Sequence, residues 1–405
     1  MQFTLFLFVF SLHFSFIASQ SIAVPITYQS GKYYFTLSFG KNKKSLSLPI
    51  NTCSQYSFVT STVFLPKSES TKTLLKFNFL HQELKYEGFH YNEFLTIFPT
   101  ILVNNFHIFY LPIYDYEIQD DLQAIPFAFS FDDESFSLTH LLYKNNQIDK
   151  LSFTIINSKD FKNTKMIFGN LPSQYLNNVS IANIKVKSKF NTWGAELSYV
   201  FIDSISYVYK NTFYTNEQYA YFDSTIKGIH VPEDFYDFVM KNMFSDAVKE
   251  GKCKNVLFSE RKFFACDREI IDSFPDLIFV FGNKGLKIPM KIMFEEYGIT
   301  ADVLILKNEI VKNTFAFGNY FLNQFIVNFN YDNSSISFIS NFDNIIDVDI
   351  NLLFPKRRLL FFGMIIFAII LLIFLFRYCR RRYIFHKKNI IKTKINLELS
   401  DNILI

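Results

Sequence analysis

Glycine is scarce in this chain of 405 residues, which has 12 glycines against 52 phenylalanines and 23 tyrosines. Charged residues are also few, at 19%, while hydrophobic residues reach 49%. This balance argues against an intrinsically disordered protein and allows a large core. The length is enough for two or three domains. Because aromatic side chains suit the half-buried faces of sheets, their abundance predicts a mostly β protein.

The chain also lacks the signatures of nucleic-acid and metal binding. Its net charge of +4 is small, and there is no basic stripe with interleaved aromatic residues ahead of the C-terminal region. His81, His90 and His107 have no metal-ligand spacing with one another or with cysteine, so they are better explained as strand and loop residues. We therefore expect no nucleic-acid partner, no metal and no cofactor.

Two long apolar runs predict targeting segments. Residues 3–17 are almost continuously apolar and precede small residues, which predicts a secretory signal peptide over 1–19, although the usual basic start is missing. Residues 359–376 form a second run of 18 residues without charge, and as a helix it spans about 27 Å. More basic residues follow this run than precede it, so the positive-inside rule places residues 377–405 in the cytosol. We expect a single-pass type I membrane protein of the secretory pathway, at the cell surface or in an endolysosomal membrane.

Between these segments the sequence alternates in short runs that are typical of strands. The clearest runs cover residues 28–40, 45–50, 74–79, 94–98 and 106–110. No convincing helix precedes residues 137–143, and a second helix is predicted from residue 232 to about residue 249.

Two stretches share one pattern, in which an apolar strand runs into a polar turn that begins with an Asx residue. The first turn contains Asn51-Thr52-Cys53 and the second contains Asp223-Ser224-Thr225. A further apolar run follows each turn at a comparable place, at residues 125–131 and 314–321. The repeated order of these motifs predicts two analogous β-rich lobes.

The predicted organisation therefore has six parts. They are the signal peptide (1–19), an N-terminal lobe (20–185), a C-terminal lobe (186–345), a juxtamembrane linker (346–358), the transmembrane helix (359–376) and a basic cytosolic tail (377–405).

Taken in order, the motifs resemble those of pepsin-like aspartic proteases (peptidase family A1) over residues 28–340. Asn51-Thr52-Cys53 stands where that family has its first Asp-Thr-Gly, and Asp223-Ser224-Thr225 stands where it has its second. Residues 315–319 resemble its late Ile-Leu-Gly-Asp. The resemblance implies a mostly β, bilobal acid-protease fold, here with a single C-terminal transmembrane helix.

The resemblance also implies roles for individual residues. Positions 51 and 223 would be the two catalytic positions, and the supporting loop residues would be Thr52, Cys53, Ser224 and Thr225. Cys253 and Cys266 match the disulfide of the family's second lobe.

Several departures from the family pattern bear on the chemistry. Active members use two carboxylates that share one proton, and the amide of Asn51 can neither accept nor supply that proton at useful pH. Cys53 and Thr225 replace glycines, which permit close approach or special dihedral angles. The substrate-covering flap has only a partial counterpart in residues 86–88, and little room remains for a propeptide after the signal peptide.

We therefore predict a proteolytically inactive family member that keeps the interlobe cleft for a peptide or protein ligand. One alternative is an active endopeptidase in which Asp223 is assisted by another acid. The other alternative is a non-enzymatic surface β protein unrelated to proteases.

Four further residues are candidates for modification or reactivity. Asn178 and Asn333 begin N-glycosylation sequences. Cys379 would lie just inside the membrane, as a palmitoylation site or a free thiol. Cys53 has no evident partner and is either a buried thiol or a reactive one.

Overall fold

The computed structural model describes most of the chain between residues 21 and 401. The described ranges are 21–39, 44–53, 58–60, 71–79, 82–97, 101–111, 124–125, 127–128, 137–157, 163–187, 192–202, 205–207, 219–258, 261–308, 313–341, 343–348 and 355–401. The predicted signal peptide lies outside these residues. The chain divides into two compact units, Met1–Val348 and Asp349–Ile405.

The first unit is built mainly from strands. In chain order they are β1 Ser21–Gln29, β2 Lys32–Phe39, β3 Lys44–Asn51, β4 Phe58–Thr60, β5 Thr71–Phe79, β6 Gln82–Ile97, β7 Ile101–Leu111, β8 Ala124–Ile125, β9 Phe127–Ala128, β10 Ser152–Ile156, β11 Lys165–Gly169, β12 Ser180–Lys185, β13 Gly194–Glu196, β14 Tyr199–Ile202, β15 Ile205–Tyr207, β16 Tyr219–Phe222, β17 Ile229–Val231, β18 Cys253–Phe258, β19 Arg261–Asp267, β20 Leu277–Phe281, β21 Lys284–Ile288, β22 Phe294–Tyr297, β23 Thr300–Val303, β24 Ile305–Lys307, β25 Thr314–Phe317, β26 Ile326–Asn330, β27 Ser335–Ser340 and β28 Ile345–Asp347.

Helices are short in the first unit and long in the second. The α-helices are α1 Leu138–Lys144, α2 Glu233–Val239, α3 Ser245–Lys249, α4 Asn319–Leu322 and α5 Pro355–Asp401. A π-helical segment, Met240–Phe244, joins α2 to α3, and the 3-10 turns are Ser173–Tyr175, Arg268–Ser273 and Met290–Met293.

The largest sheet joins strands from both ends of the first unit. It has 14 strands, and its central order is β12-β27-β26-β10-β11-β1-β2. Phe153 on β10 pairs with Phe329 on β26 on one side and with Phe168 on β11 on the other. Because all three side chains are fully buried, burial on this face fixes the register. The sheet therefore ties early strands to the last strands of the unit.

Phenylalanine fills much of the core beside the smaller sheets. Phe317 packs edge-on against Phe279, with ring centroids 4.8 Å apart, and lies 4.3 Å from the Phe321 ring. Phe222 contacts both Phe317 and Phe338. Such ring pairs add to the hydrophobic effect of burial. Many of the aromatic residues that are abundant in the sequence are therefore packed in the core.

The internal repeat expected from motif order reappears as repeated strand pairing. β3 runs parallel to β9, with Asn51 opposite Ala128. β16 runs parallel to β25, with Phe222 opposite Phe317. Each polar turn thus emerges beside the apolar run that follows it in its own half of the chain. The lobe boundary at residues 185 and 186 remains a prediction.

One predicted strand is wrong. Residues 28–40 were expected to form a single strand, but the chain turns at Ser30 and Gly31, where φ is +51° and +78°. A side chain on Gly31 would also meet Lys227, whose Cγ lies 2.7 Å from the position of an added Cβ. β1 and β2 therefore form a hairpin, in which Tyr28 pairs with Tyr33.

Several other predicted elements are confirmed. Residues 233–249 are helical throughout, and α1 lies within one residue of its expected bounds. Cys253 and Cys266 are opposite each other on β18 and β19 and form the expected disulfide.

The second unit contains one long helix. Within α5, residues Gly363–Asn389 are long and apolar enough to cross a membrane.

Candidate functional site

Each polar turn follows the buried end of a strand. Ile50 precedes the first turn and is fully buried, and all four residues of β16 precede the second turn and are buried. β16 is a continuous apolar run, as expected for a strand buried on both faces, whereas β3 exposes Ser45 and Ser47. Both turns therefore begin inside the fold.

The turns are joined to each other by reciprocal hydrogen bonds. The Thr52 amide donates to Ser224 Oγ at 3.1 Å, and the Ser224 amide donates to Thr52 Oγ1 at 3.0 Å. Each hydroxyl also donates across the junction, Thr52 to the Phe222 carbonyl and Ser224 to the Ile50 carbonyl, both at 2.7 Å. Thr52 and Ser224 are both 0% exposed. We call these four hydrogen bonds the cross-brace.

Asn51 and Asp223 have matching roles at the start of the turns. Asn51 Oδ1 accepts the amide of Cys53 at 2.7 Å, and Asp223 Oδ1 accepts the amide of Thr225 at 2.8 Å. The hydroxyl of Thr225 also donates to Asp223 Oδ1, at 2.6 Å. Both Asx side chains are 3% exposed. The two residues thus hold corresponding places on two turns that the cross-brace keeps side by side.

Burial dominates the electrostatics of Asp223. It raises the pKa of this carboxyl above its ordinary value, although hydrogen bonds from Thr225, the charge of His230 and a hydrogen bond from Cys53 oppose the shift. Among the described residues, none of the groups that act on this pKa is a carboxylic acid. Asp223 is therefore a buried carboxyl whose protonated form is favoured by its surroundings.

Cys53 fills space between the turns. Its Sγ lies 3.3 Å from the Phe222 carbonyl oxygen, to which the thiol donates, and its side chain is 4% exposed. Burial, and then the charge of Asp223, raise the pKa of this thiol well above its ordinary value. A reactive cysteine needs the thiolate, so the buried-thiol alternative fits and the reactive one does not.

Cys53 and Thr225, which stand where the family has glycine, do not strain the backbone. Neither Cys53 nor Thr225 has a positive φ. Of the two reasons for a glycine, close approach or special dihedral angles, the second therefore does not apply to these two residues. What differs from a glycine at position 53 is the side chain itself, whose Sγ lies 3.3 Å from the Phe222 carbonyl oxygen.

Comparison with known proteins identifies the fold that carries this site. The family model described as eukaryotic aspartyl protease matches residues 120–341, more than half of the chain. The chain belongs to the eukaryotic aspartyl protease family. The alternative of a β protein unrelated to proteases is therefore wrong. The matched residues include Asp223 but not Asn51. The correspondence of Asn51 with Asp223 is therefore based on its hydrogen bond from the Cys53 amide.

Solved structures agree on the fold. The chain is similar to the aspartic proteinase from Irpex lacteus over 80% of its own length and 98% of that protein, with a TM-score of 0.61 and 13% sequence identity. At that identity the likeness concerns the fold alone. A comparison with curated protein sequences found no match.

Other residues singled out in the sequence belong to strands rather than to the two turns. Tyr86 lies within β6 opposite Leu75, whereas the β5–β6 hairpin turns between Phe79 and Gln82. His90 and His107 lie in strands, as expected, and His81 lies outside the described residues. In the described ranges, no cluster of three His, Cys, Asp or Glu residues is arranged to hold a metal ion.

Sequence reasoning missed two features of this protease homologue. Tyr219 and Tyr221 pack with Cys53 and Ala316 beside the second turn, in a small cluster separate from the main core. Burial, with the charge of Asp223 as a further cause, raises the pKa of Tyr221. The signal was present in β16, where the two tyrosines alternate with Ala220 and Phe222 of the main core.

The second missed feature is the position of Asn319, which lies in the motif that resembles the family's late Ile-Leu-Gly-Asp. Its Nδ2 donates to the Ser224 carbonyl at 2.6 Å and to the Gly31 carbonyl at 2.7 Å. The side chain is fully buried. Asn319 therefore fastens the second turn to the β1–β2 hairpin.

We expect Thr52→Val to destabilise the fold by about 2 kcal/mol, because the buried Ser224 amide loses its acceptor. The Phe222 carbonyl retains the Cys53 thiol, so only one group is left without a partner. Unfolding by denaturant measures the change. Thr36→Val, at an exposed strand position, is the matched control and should stay within about 0.5 kcal/mol of the unmodified protein. Equal stabilities for the two variants would contradict the importance of the cross-brace.

Asp223→Asn should gain stability relative to the unmodified protein as pH rises. The pKa of Asp223 in the folded state lies above the ordinary 3.8, so the fold binds this proton more tightly than the unfolded chain does. The resulting stabilisation is fully present below that ordinary value and is lost as pH rises through the raised pKa. The amide of Asn can still accept the Thr225 hydrogen bonds and does not titrate.

The measurement is the difference in unfolding free energy between this variant and the unmodified protein, taken from about pH 3.5 to about pH 7. Asp267→Asn, which replaces an exposed aspartate, controls for general charge effects. A difference that stays flat with pH, or that shifts in favour of the unmodified protein, would refute the raised pKa.

Proposed function

We propose that this family member does not hydrolyse peptide bonds and uses its interlobe cleft to bind a peptide or protein ligand. The observation that carries the proposal is the matching hydrogen bonding of Asn51 and Asp223. It supports position 51 as the first catalytic position and position 223 as the second. The pair therefore has one amide and one carboxyl where the family's chemistry needs two carboxyls.

The missing carboxyl removes the mechanism rather than weakening it. In the family's reaction one carboxylate takes a proton from water while the other, protonated, polarises the substrate carbonyl. Each positioned proton transfer typically contributes about 10²–10⁴-fold to a rate. Asn51 supplies neither step, because an amide does not exchange a proton at useful pH. One remaining carboxyl cannot act as both the base and the acid in the same step.

Cys53 adds a second obstacle. A glycine at this position would leave open the space that the thiol occupies beside the Phe222 carbonyl and Asp223. An attacking water would need space of this kind close to the remaining carboxyl. Restoring an acid at position 51 therefore leaves one side chain still in the way.

The cross-brace supports a binding role, because it keeps the junction of the two turns in the absence of catalysis. All four of its hydrogen bonds are buried, with distances from 2.7 to 3.1 Å. A ligand that lies across both turns needs their relative position fixed, and a satisfied buried network of this kind fixes it. The rival function, an active endopeptidase, requires a second acid, and no described group near Asp223 provides one.

The proposal predicts no pepstatin-sensitive cleavage of a denatured protein substrate at about pH 3–5, the range in which a carboxyl pair works. Purified full-length protein and its Asp223→Asn variant should give the same background. Asn51→Asp should remain near that background, and Asn51→Asp combined with Cys53→Gly should exceed it. Pepstatin-sensitive cleavage by the unmodified protein, lost in Asp223→Asn, would establish the rival function instead.

The ligand half of the proposal is tested by selecting binders from a random peptide library on the same protein. Thr225→Trp puts a large side chain on the second turn, where Thr225 is half-buried, and should reduce the selected binding. Thr300→Trp, at a half-buried position on another hairpin, should not. Selected peptides that bind both variants equally would place the ligand elsewhere.

We also propose that α5 anchors the protein as a single-pass type I membrane protein. The apolar part of the helix supports a membrane span, and the basic residues after it support a cytosolic C-terminus. The first unit would then face the lumen of the secretory pathway or the cell exterior.

This topology predicts N-glycans on Asn178 and Asn333, because both side chains are exposed and both sequences fit the acceptor pattern. Treatment with a peptide N-glycosidase should increase the gel mobility of the protein expressed in eukaryotic cells. Asn178→Gln and Asn333→Gln should each remove part of that shift, and the double variant all of it. A protein that carries no glycan at either residue would contradict the orientation.

A further inference from the structure

The long helix α5 extends well beyond its apolar run. The uncharged run stops at Phe376, but the helix continues to Asp401. The side chains from Arg377 to Asn389 are exposed. Because a helix rises about 1.5 Å per residue, the distance of each of these residues from the end of the apolar run is fixed.

Four arginines lie in the first part of this extension. They are Arg377, Arg380, Arg381 and Arg382, and together they span about 7.5 Å along the helix axis. The polar headgroup layer on each side of a bilayer is about 5–8 Å thick. A helix that crosses the bilayer with its apolar run in the hydrocarbon core therefore carries all four arginines in this layer.

Two tyrosines favour the same layer. Tyr378 follows Arg377 and Tyr383 follows Arg382, and their side chains are 60% and 69% exposed. Tyrosine is enriched at membrane–water interfaces, because its ring suits the acyl chains and its hydroxyl suits water. The depth that helix rise assigns to the arginines thus agrees with the depth that these tyrosines prefer.

Three of the arginines share one face of the helix. Arg380 and Arg381 lie three and four residues after Arg377, a spacing that puts Cβ atoms about 5–6 Å apart. A guanidinium binds phosphate through paired hydrogen bonds and is always charged in proteins. No Asp or Glu occurs from residue 350 to residue 397, so this part of the chain supplies no carboxylate to neutralise the face. We call these three residues the arginine face.

We propose that the arginine face binds the head group of a phosphatidylinositol bisphosphate in the cytosolic leaflet. Adjacent phosphates on one inositol ring can each meet a guanidinium, whereas a singly charged head group can engage only one. Basic clusters directly beside a span on its cytosolic side are typical of such recognition. The inference rests on the proposed type I topology, because these anionic lipids belong to the cytosolic leaflet.

Two lysines farther along the helix provide a matched control. Lys387 and Lys388 carry the same two charges as Arg380 and Arg381, but they lie about 15–17 Å beyond Arg377. That is roughly one Debye length, about 8 Å, outside the headgroup layer, where attraction to lipid is much weaker. A soluble polyanion that binds the exposed helix would use both pairs, whereas a lipid head group uses the arginines.

The experiment titrates full-length protein in a neutral detergent with phosphatidylinositol 4,5-bisphosphate, phosphatidylserine or phosphatidylcholine of matched acyl chains. Native mass spectrometry counts the bound lipids and gives their affinities. We expect saturable binding of the bisphosphate, about tenfold or more tighter than that of phosphatidylserine. Arg380→Gln combined with Arg381→Gln should weaken it about tenfold or more, and Lys387→Gln combined with Lys388→Gln less than about threefold.

Both double variants replace exposed side chains of a helix with glutamine, a good helix former, so neither should disturb folding. Equal affinities for the bisphosphate and phosphatidylserine would overturn the inference, as would equal losses in the two double variants. Displacement of the bisphosphate by an equal concentration of poly(U) RNA or polyglutamate would also overturn it, in favour of a soluble polyanion. Lipid binding in detergent does not depend on orientation, so a wrong topology shows in the glycan experiment instead.

Discussion

The reciprocal hydrogen bonds between Thr52 and Ser224 are the constraint on which the centre of this molecule depends. Two turns from distant parts of the chain meet in a fully buried place, where each backbone amide needs an acceptor. The side chain of the opposite turn supplies it in both cases. Because the arrangement is reciprocal, neither turn can move without leaving the other unsatisfied. β3 pairs with β9 and β16 pairs with β25, so the strands that lead into the two turns are fixed by parallel pairing.

The two turns share one hydrogen-bonding geometry, although one begins with an amide and the other with a carboxyl. Asn51 and Asp223 each accept the amide two residues ahead, so an amide and a carboxyl serve equally well as turn residues. They differ in that only the carboxyl can exchange a proton. An amide in place of a carboxyl therefore has little structural consequence at position 51. The buried Cys53 thiol then occupies space next to Asp223 without disturbing the cross-brace.

The region around the turns combines a buried carboxyl, a thiol and two tyrosines. The first turn follows a strand of the large sheet, and the second follows β16 of a five-stranded sheet. The hydrogen bonds of the cross-brace therefore join two different sheets at this region.

By itself, the sequence determined the mostly β character, the two polar turns and the apolar C-terminal helix, because these follow from local composition and from motif order. The pairing of Cys253 with Cys266 came from the family resemblance. It also identified Asn51 as a residue that cannot replace a carboxylic acid. Only the tertiary structure decided that Asn319 fastens Ser224 to Gly31 and that Cys53 lies beside Asp223. These are contacts between residues far apart in the chain. A single sequence encodes them through burial and register, which become definite only when the sheets assemble.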